Sequence, residues 1–550
     1  MRTTQNSTWP IRTLPPALRE RYLADGWWRD ETLGALVDRS LAAAPDTGVH
    51  VYSDTRPWHG AYRDLHAEAR RLAGALGAAG LEPGDVVAFQ LPNWREAVVA
   101  FYGLALGGYV LVPIVHIYGS KEVRFILGQT RARAYISADR FGHVDYLDIV
   151  DGARADELPD LSVHFVVGDS RPTPHVHIER VGCEAVDAAA PIAAVGRADP
   201  DDVCVLAYTS GTTADPKGVV HSHRTLLAEL SHIAPWITAG KPLLMGSPVT
   251  HATGMLGAVL TPVELGEPIH LIDRWDPDRV LPIMLEANVG AGTGASVFLT
   301  SLLDHPGFTS EHARRVPRVG LGGAPVPVAL GERAAARGIT IVRVYGSTEH
   351  PSVTGSTFDD PADKRHATDG RPLPGVEIRV VDADGGPVGV GEAGEIWSRG
   401  PDLCVGYTDP ALTAAAFDDD GWYRTGDLGV LDADGFLTIT DRVNDVIIRG
   451  GENLSAAEIE EVIGALDEVA EVAVVAAPDA RLGEHACAVV RLAPGVDTFE
   501  LRDVTDALER RGLARQKWPE ELRIVGDFPR TASGKIRKVD LRHGLRNLPG

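Results

Sequence analysis

DVVAFQLPNWREAVVAFYGLALGGYVLVPIV, residues 85–115, is the stretch that decides the fold class. From Ala97 to Val115 it carries no charge, and its length approaches the roughly 20 residues of a membrane span. Gly107, Gly108 and Pro113 interrupt it, however, so it reads as two short buried elements rather than one long one. The pattern predicts a strand over Val86–Gln90, a helix over Trp94–Leu106 and a second strand over Tyr109–Ile114. Continuous apolar strands separated by a helix are the βαβ unit of a parallel sheet covered on both faces. The expected fold class is therefore α/β, with no integral membrane segment.

Working outward, Ala67–Ala79 and Leu226–Ile233 read as amphipathic helices and Val203–Ala207 as another strand. After Asp441-Arg-Val-Asn444 the texture changes. A strand at Val446–Ile448, a helix opened by the capping box Ser455-Ala-Ala-Glu458 and strands near Val472–Ala476 and Ala486–Leu492 suggest a small α+β unit. A further helix is expected after Asp497, then a basic loop and tail containing Arg530, Lys535, Arg537, Lys538, Arg542 and Arg546. The division expected is a large domain over 1–441 and a small one over 442–550.

With 53 Lys+Arg against 76 Asp+Glu, the net charge of −23 repels phosphate polymers. Nucleic acid and anionic membranes are thus excluded as expected partners, and any anionic ligand must be held by local donors. Cys183, Cys204, Cys404 and Cys487 show neither CxxC nor zinc spacing, which suggests reduced thiols and a cytoplasmic protein. The polar start at Met1–Asn6 and the absence of a peroxisomal tripeptide at Asn547–Gly550 agree with that expectation.

Tyr208-Thr-Ser-Gly-Thr-Thr-Ala-Asp-Pro-Lys-Gly218 is the densest chemical signal. Following a predicted strand, its hydroxyls, glycines and single lysine supply what a polyphosphate needs: close backbone approach, many donors and a compact cation. The Walker pattern GxxxxGK followed by Ser or Thr does not fit it. On composition alone a solvated Ser/Thr-rich turn is the competing reading.

From about residue 30 to 542 the chain resembles the adenylate-forming superfamily, which includes acyl- and aryl-CoA synthetases, through separated motifs in the family's order. They are the loop just quoted, Ser247-Pro-Val-Thr-His-Ala-Thr-Gly254, Gly322-Gly-Ala-Pro325, Tyr345-Gly-Ser-Thr-Glu349, Trp422-Tyr-Arg-Thr-Gly-Asp427, Asp441-Arg442 with Gly450-Gly-Glu-Asn453, and Pro529-Arg-Thr-Ala-Ser-Gly-Lys-Ile-Arg537. The resemblance implies a large N-terminal α/β domain and a small mobile C-terminal domain. It also implies a reaction in two halves: a carboxylate attacks the α-phosphate of ATP to give acyl-AMP and pyrophosphate, and a thiol, usually of coenzyme A, then displaces AMP.

Thr209, Ser210, Gly211, Thr212, Thr213 and Lys217 would then bind the phosphates, with Mg²⁺ held through Glu349. Gly322, Gly323, Ala324, Pro325, Tyr345, Gly346, Ser347 and Thr348 would form the adenine site, Tyr345 offering a ring face to the base. Asp427 would accept the ribose hydroxyls, and Arg442 would bond ribose or phosphate. Lys535, in a Gly/Ser loop, would be the catalytic lysine that stabilises charge developing during adenylation, with Lys217, Thr209 and Glu349 assisting. Asn444 falls at the expected hinge, near 442–445, that would swing Lys535 away before thioester formation.

The acid pocket is expected among His251, Ala252, Gly254, Thr293, Gly320 and Gly322. Ala252 stands where amino-acid-activating relatives place an Asp, and the other lining segments are small or apolar, so an uncharged, apolar monocarboxylic acid is expected. His251 reads equally as a gate or a packed residue. Gly290-Ala-Gly-Thr-Gly-Ala295 matches a loose dinucleotide fingerprint but lacks a clear leading strand in a first βαβ unit. His221 and His223 read as structural rather than metal-binding. The expected substrates are thus an acid (medium-chain, alicyclic or aryl), ATP and CoA, with the protein a monomer or homodimer. The rivals are a stand-alone acyl-AMP ligase that loads a separate carrier protein, and a noncatalytic nucleotide-binding regulator.

Overall fold

The computed structural model describes residues 9, 11–154, 156–209, 216–237, 242–323, 326–443, 445–449, 452–479, 481–511, 513, 515–531 and 535–546. The opening βαβ stretch forms as its pattern predicts: strand Val86–Gln90, helix Arg95–Gly107 and strand Val110–Pro113. The helix is apolar all round and is buried from Ala97 to Gly107, so it belongs to the core. It stops at Gly108, whose φ of +71° is a left-handed cap suited to glycine. Among the described residues, no helix is long and apolar enough to cross a membrane.

Those two strands lie at the centre of an eight-stranded sheet ordered Gly406–Tyr407, Lys217–Ser222, Val203–Thr209, Val110–Pro113, Val86–Gln90, Ala134–Ala138, Val163–Val167 and Glu179–Gly182. The pairings from Val203–Thr209 onward are parallel, and the two at the Lys217–Ser222 end are antiparallel. A five-stranded sheet contains Ile269–Ile272, and a four-stranded one pairs Arg318–Gly322 in parallel with Thr340–Tyr345. A fourth sheet, antiparallel, runs Glu377–Val381, Ala393–Arg399, Tyr423–Leu431 and Leu437–Arg442.

Beyond residue 445, Ile447–Arg449, Glu452–Leu454, Val469–Asp479, Gly483–Leu492 and Glu521–Ile524 make a separate sheet. Helix Ala456–Gly464 packs with this sheet around Ile459, Ile463, Val474 and Val490. Two expectations need correction here. Only one arm of the capping box forms: Ser455 Oγ accepts from the Glu458 N–H at 3.2 Å, while the Glu458 carboxylate takes Lys517 Nζ at 2.6 Å. The basic tail is not all loop, because Lys538–Arg546 is helical. Two of the helix's charges are spent on partners, with Lys538 on Glu460 at 2.8 Å and Arg542 on Asp445 at 2.7 Å.

Candidate active site

The phosphate-loop candidate is slung between two paired strands. Thr209 and Lys217 face each other in the antiparallel register of Val203–Thr209 and Lys217–Ser222, which fixes both ends of the connection. Gln129 Oε1 accepts from the hydroxyls of Tyr208 at 2.6 Å and Thr408 at 3.0 Å. A Cβ on Gly218 would lie 2.6 Å from Thr408 Oγ1, so this glycine permits the close approach. Ser210, Gly211, Thr212 and Thr213 lie outside the described residues, as do Ala324, Pro325 and Asn444.

The segments expected to hold adenosine lie on and after the parallel pair Arg318–Gly322 and Thr340–Tyr345. Gly322 packs against Val344, where a Cβ would sit 2.5 Å from the carbonyl, and a Cβ on Gly346 would strike the Pro351 carbonyl at 1.9 Å. The Ser347 N–H donates to the His350 carbonyl at 2.9 Å, and the Thr348 carbonyl accepts from His221 Nε2 at 2.8 Å. His223 Nδ1 accepts from the Leu33 N–H at 2.9 Å, so both histidines of the 221–223 pair have structural partners.

Tyr345 donates its hydroxyl to Asp427 Oδ2 at 2.7 Å, and Arg442 Nε meets Asp427 Oδ1 at 3.0 Å. The register of Tyr423–Leu431 with Leu437–Arg442 places Asp427 across from Arg442. Each carboxylate oxygen has a second lone pair, so acceptor capacity remains. Burial raises the Asp427 pKa despite the opposing pull of Arg442 and Tyr345, while Asp427 raises that of Arg442.

Glu349 is held from two sides. Tyr407 donates its hydroxyl to Glu349 Oε1 at 2.8 Å, and the Cys404 N–H binds the Glu349 carbonyl at 2.8 Å. A half-buried carboxylate oriented in this way presents hard oxygen donors of the kind that suit Mg²⁺.

Lys535 comes from the far end of the chain. The Thr531 N–H donates to the Lys535 carbonyl at 2.7 Å, and the Lys535 N–H returns to Thr531 Oγ1 at 3.1 Å. Its ammonium sits in the field of Arg442, Asp427 and Glu349; burial first, then Arg442, pull its pKa from 10.5 to about 8. His251 feels the same ammonium: burial and Lys535 bring its ring down to about 4, so it is neutral at pH 7.

The segments expected to line the acid pocket do converge. Gly294 N–H donates to the Gly320 carbonyl at 3.1 Å, and Gly322 N–H to the Gly294 carbonyl at 2.9 Å. Gly294, at φ +101°, would place a Cβ 3.3 Å from both Ser247 Oγ and Thr253 Cγ2. Thr293 Oγ1 is buried without a hydrogen-bond partner among the described residues. His251 caps the turn Ala252–Gly254, which continues into a π-helix over Met255–Leu260. Gly254 touches backbone, since its Cβ would fall 2.0 Å from the Pro248 carbonyl.

Two contributors escape the sequence motifs. Trp236, on helix His223–Ile237, lies against Gly320 and Gly355, where added Cβ atoms would be 3.4 Å and 2.4 Å from it, and its Nε1 donates to the Ser356 carbonyl. Tyr407, which orients Glu349, is the other. Their partners are distant in the chain, so no local spacing announces them.

Residues 37–408 match the family model described as AMP-binding enzyme, and 458–535 match AMP-binding enzyme C-terminal domain. Medium-chain fatty-acid–CoA ligase from Escherichia coli (strain K12) is 33% identical over 534 residues, covering 96% of this chain and 93% of that protein. Salicylyl-CoA synthase / salicylate adenylyltransferase from a Streptomyces species is 33% identical over 550 residues, with 97% of each chain covered. Among solved structures, ATP-bound MatB from Rhodopseudomonas palustris aligns with a TM-score of 0.82 at 27% identity, over 94% of this chain and 99% of that one. With both matched regions and full-length relatives in agreement, the chain belongs to the AMP-binding enzyme family.

Proposed function

We propose that the protein is an ATP-dependent carboxylate–CoA ligase that converts an apolar monocarboxylic acid to its acyl-AMP and passes the acyl group to CoA. The observation that carries this reading is Lys535, delivered from the connection between strand Glu521–Ile524 and helix Lys538–Arg546 into the field of Asp427, Arg442 and Glu349. A nucleotide-binding regulator has no use for such a lysine. Relatives named for medium-chain, salicylate and indoleacetate substrates support the acid class.

In the adenylating arrangement, Asp427 and Arg442 hold the ribose, Tyr345 the adenine, and Thr209, Lys217 and the loop between them the phosphates. When bound, Mg²⁺ at Glu349 supplies charge neutralisation for the triphosphate. Lys535 orients the acid's carboxylate toward the α-phosphorus and stabilises charge as the P–O bond to pyrophosphate breaks. Rotation of the C-terminal domain about the hinge expected near 442–445 then withdraws Lys535 and admits the thiol. Neutral His251 and Trp236 bound the acid's apolar tail, so Trp236→Ala should shift preference toward longer or bulkier acids.

Pyrophosphate release from ATP and Mg²⁺ across short, medium, long, alicyclic and aryl acids, with and without CoA, tests the proposal. Acid-dependent release accelerated by CoA is expected. Release stalling near one turnover with CoA present would instead assign the acyl-AMP to a carrier-protein thiol, and no acid-dependent release with any acid would overturn the ligase reading.

A further inference from the structure

Behind Glu349 lies a second polar cluster that the reaction does not use. Helix His223–Ile237 carries Glu229 and His232 at i,i+3, so both side chains leave one face. Asp402 comes in beside them, and one ligand-capable atom from each of the three lies within 4.8 Å of the others. Glu229 is 1% exposed, His232 4% and Asp402 0%.

Hydrogen bonding is complete around the outside of this cluster and missing at its centre. Ser352 Oγ donates to Glu229 Oε1 at 2.6 Å, and His232 Nε2 donates to the Pro374 carbonyl at 2.8 Å. Asp402 pairs with His350 Nε2 at 3.2 Å and accepts the Ser352 N–H at 3.4 Å. Glu229 Oε2 and His232 Nδ1, by contrast, have no hydrogen-bond partner among the described residues. His232 Nδ1 is 3.8 Å from Glu229 Oε2 and 3.6 Å from Asp402 Oδ1, beyond hydrogen bonding. Separations of 3.6 and 3.8 Å from His232 Nδ1 suit atoms that share one cation through bonds of about 2.0–2.2 Å.

Nε2 donates to Pro374, so Nδ1 is the ring atom turned toward the two carboxylates, and neither it nor Glu229 Oε2 has a hydrogen-bond partner among the described residues. One divalent cation satisfies Nδ1, Oε2 and Oδ1 together and balances both carboxylates. Pro374, Ser352 and His350 then serve as the outer hydrogen bonds that orient its ligands.

We propose that Glu229, His232 and Asp402 bind a divalent transition-metal ion of the zinc or manganese class as a structural brace. His350, which holds Asp402, directly follows Glu349, and Cys404, near Asp402, holds the Glu349 carbonyl. The ion therefore ties helix His223–Ile237 to both segments that set Glu349.

The test is elemental analysis of the full chain, purified without added metal and without ATP, followed by chelator stripping and thermal unfolding with Zn²⁺ or Mn²⁺ alone. About one transition metal per chain, and a Tm raised by re-addition, are expected. His232→Asn and Glu229→Gln should lower the metal content at least about tenfold, as expected when a ligand is removed. Glu349→Gln should keep it. Wild-type protein with under about a tenth of an equivalent and no Tm response to either ion would overturn the proposal, whether or not the variants fold. So would metal lost in Glu349→Gln but kept in His232→Asn, which would place the ion at the nucleotide site.

Discussion

The loop that carries Lys535 and the helix that begins at Lys538 are separated only by Ile536 and Arg537, yet they treat a lysine in opposite ways. Lys538 has a carboxylate at 2.8 Å in Glu460; burial lowers its pKa, but Glu460 and Asp445 outweigh that and the net shift is upward. No described carboxylate lies within ion-pair distance of Lys535, and burial with Arg442 beside it brings that group down to about 8. A paired ammonium has its charge spent on holding the fold, whereas an unpaired one under strain is a charge in reserve for a ligand.

The largest effect should come from Lys535→Ala. Pyrophosphate release is expected to fall by about 10²–10³-fold, the scale of losing one preorganised electrostatic group. ATP affinity should stay within about tenfold, or 1.4 kcal/mol. Thioester formation from pre-made acyl-AMP should survive, and its loss would break the two-arrangement scheme. Next, Asp427→Ala should weaken ATP binding by about 10–100-fold in calorimetry, consistent with charged hydrogen bonds of about 1.5–3 kcal/mol. Because Asp427 is one of the two anions that favour the Lys535 ammonium, this variant should also move the alkaline limb of the rate profile downward.

The pH dependence sharpens the contrast further. If the Lys535 ammonium is required, adenylation falls about tenfold per unit above pH 8, read from initial rates. Stability should not fall in step. A lysine at about 8 when folded and 10.5 when unfolded leaves the unfolded chain holding more protons between those values, so its contribution to stability rises with pH there. Lys538 has the opposite sign: its stabilisation is complete below 10.5 and is lost as pH climbs through the raised folded value. Smallest on catalysis is Lys538→Ala, expected to cost about 1–3 kcal/mol in denaturant unfolding by stranding Glu460, with the rate per folded molecule within about twofold. A rate loss like that of Lys535→Ala would erase the distinction between the two lysines.

Where a signal is local, the sequence is legible. Strand Val86–Gln90 falls where its apolar run predicts, and helix Arg95–Gly107 is offset by one residue from Trp94–Leu106 because Gly107 still fits the last turn before Gly108 reverses. The motif residues Tyr345, Asp427, Arg442 and Lys535 also lie together, since each motif carries its own chemistry wherever the chain brings it. What was hidden depends on partners far along the chain. Glu458 prefers Lys517 to its own helix end. Helix Lys538–Arg546 was masked by Gly544 and a dense run of charge that ion pairs neutralise. Trp236 acquires its place only once Gly320 and Gly355 arrive against it.

The π-helix at Met255–Leu260 has a consequence for how this enzyme could change its diet. A π-turn holds one residue more than the α-turn it replaces. Removing one residue there would restore the ordinary turn and rotate everything upstream, including Ala252 and Thr253, by about 100° about the helix axis. Gly254, pressed against the Pro248 carbonyl, tolerates no side chain, so point substitution cannot explore that wall freely. A one-residue deletion is then the shorter route to a new acid, and a pocket that evolves by changing length rather than lining is what this turn predicts among the protein's descendants.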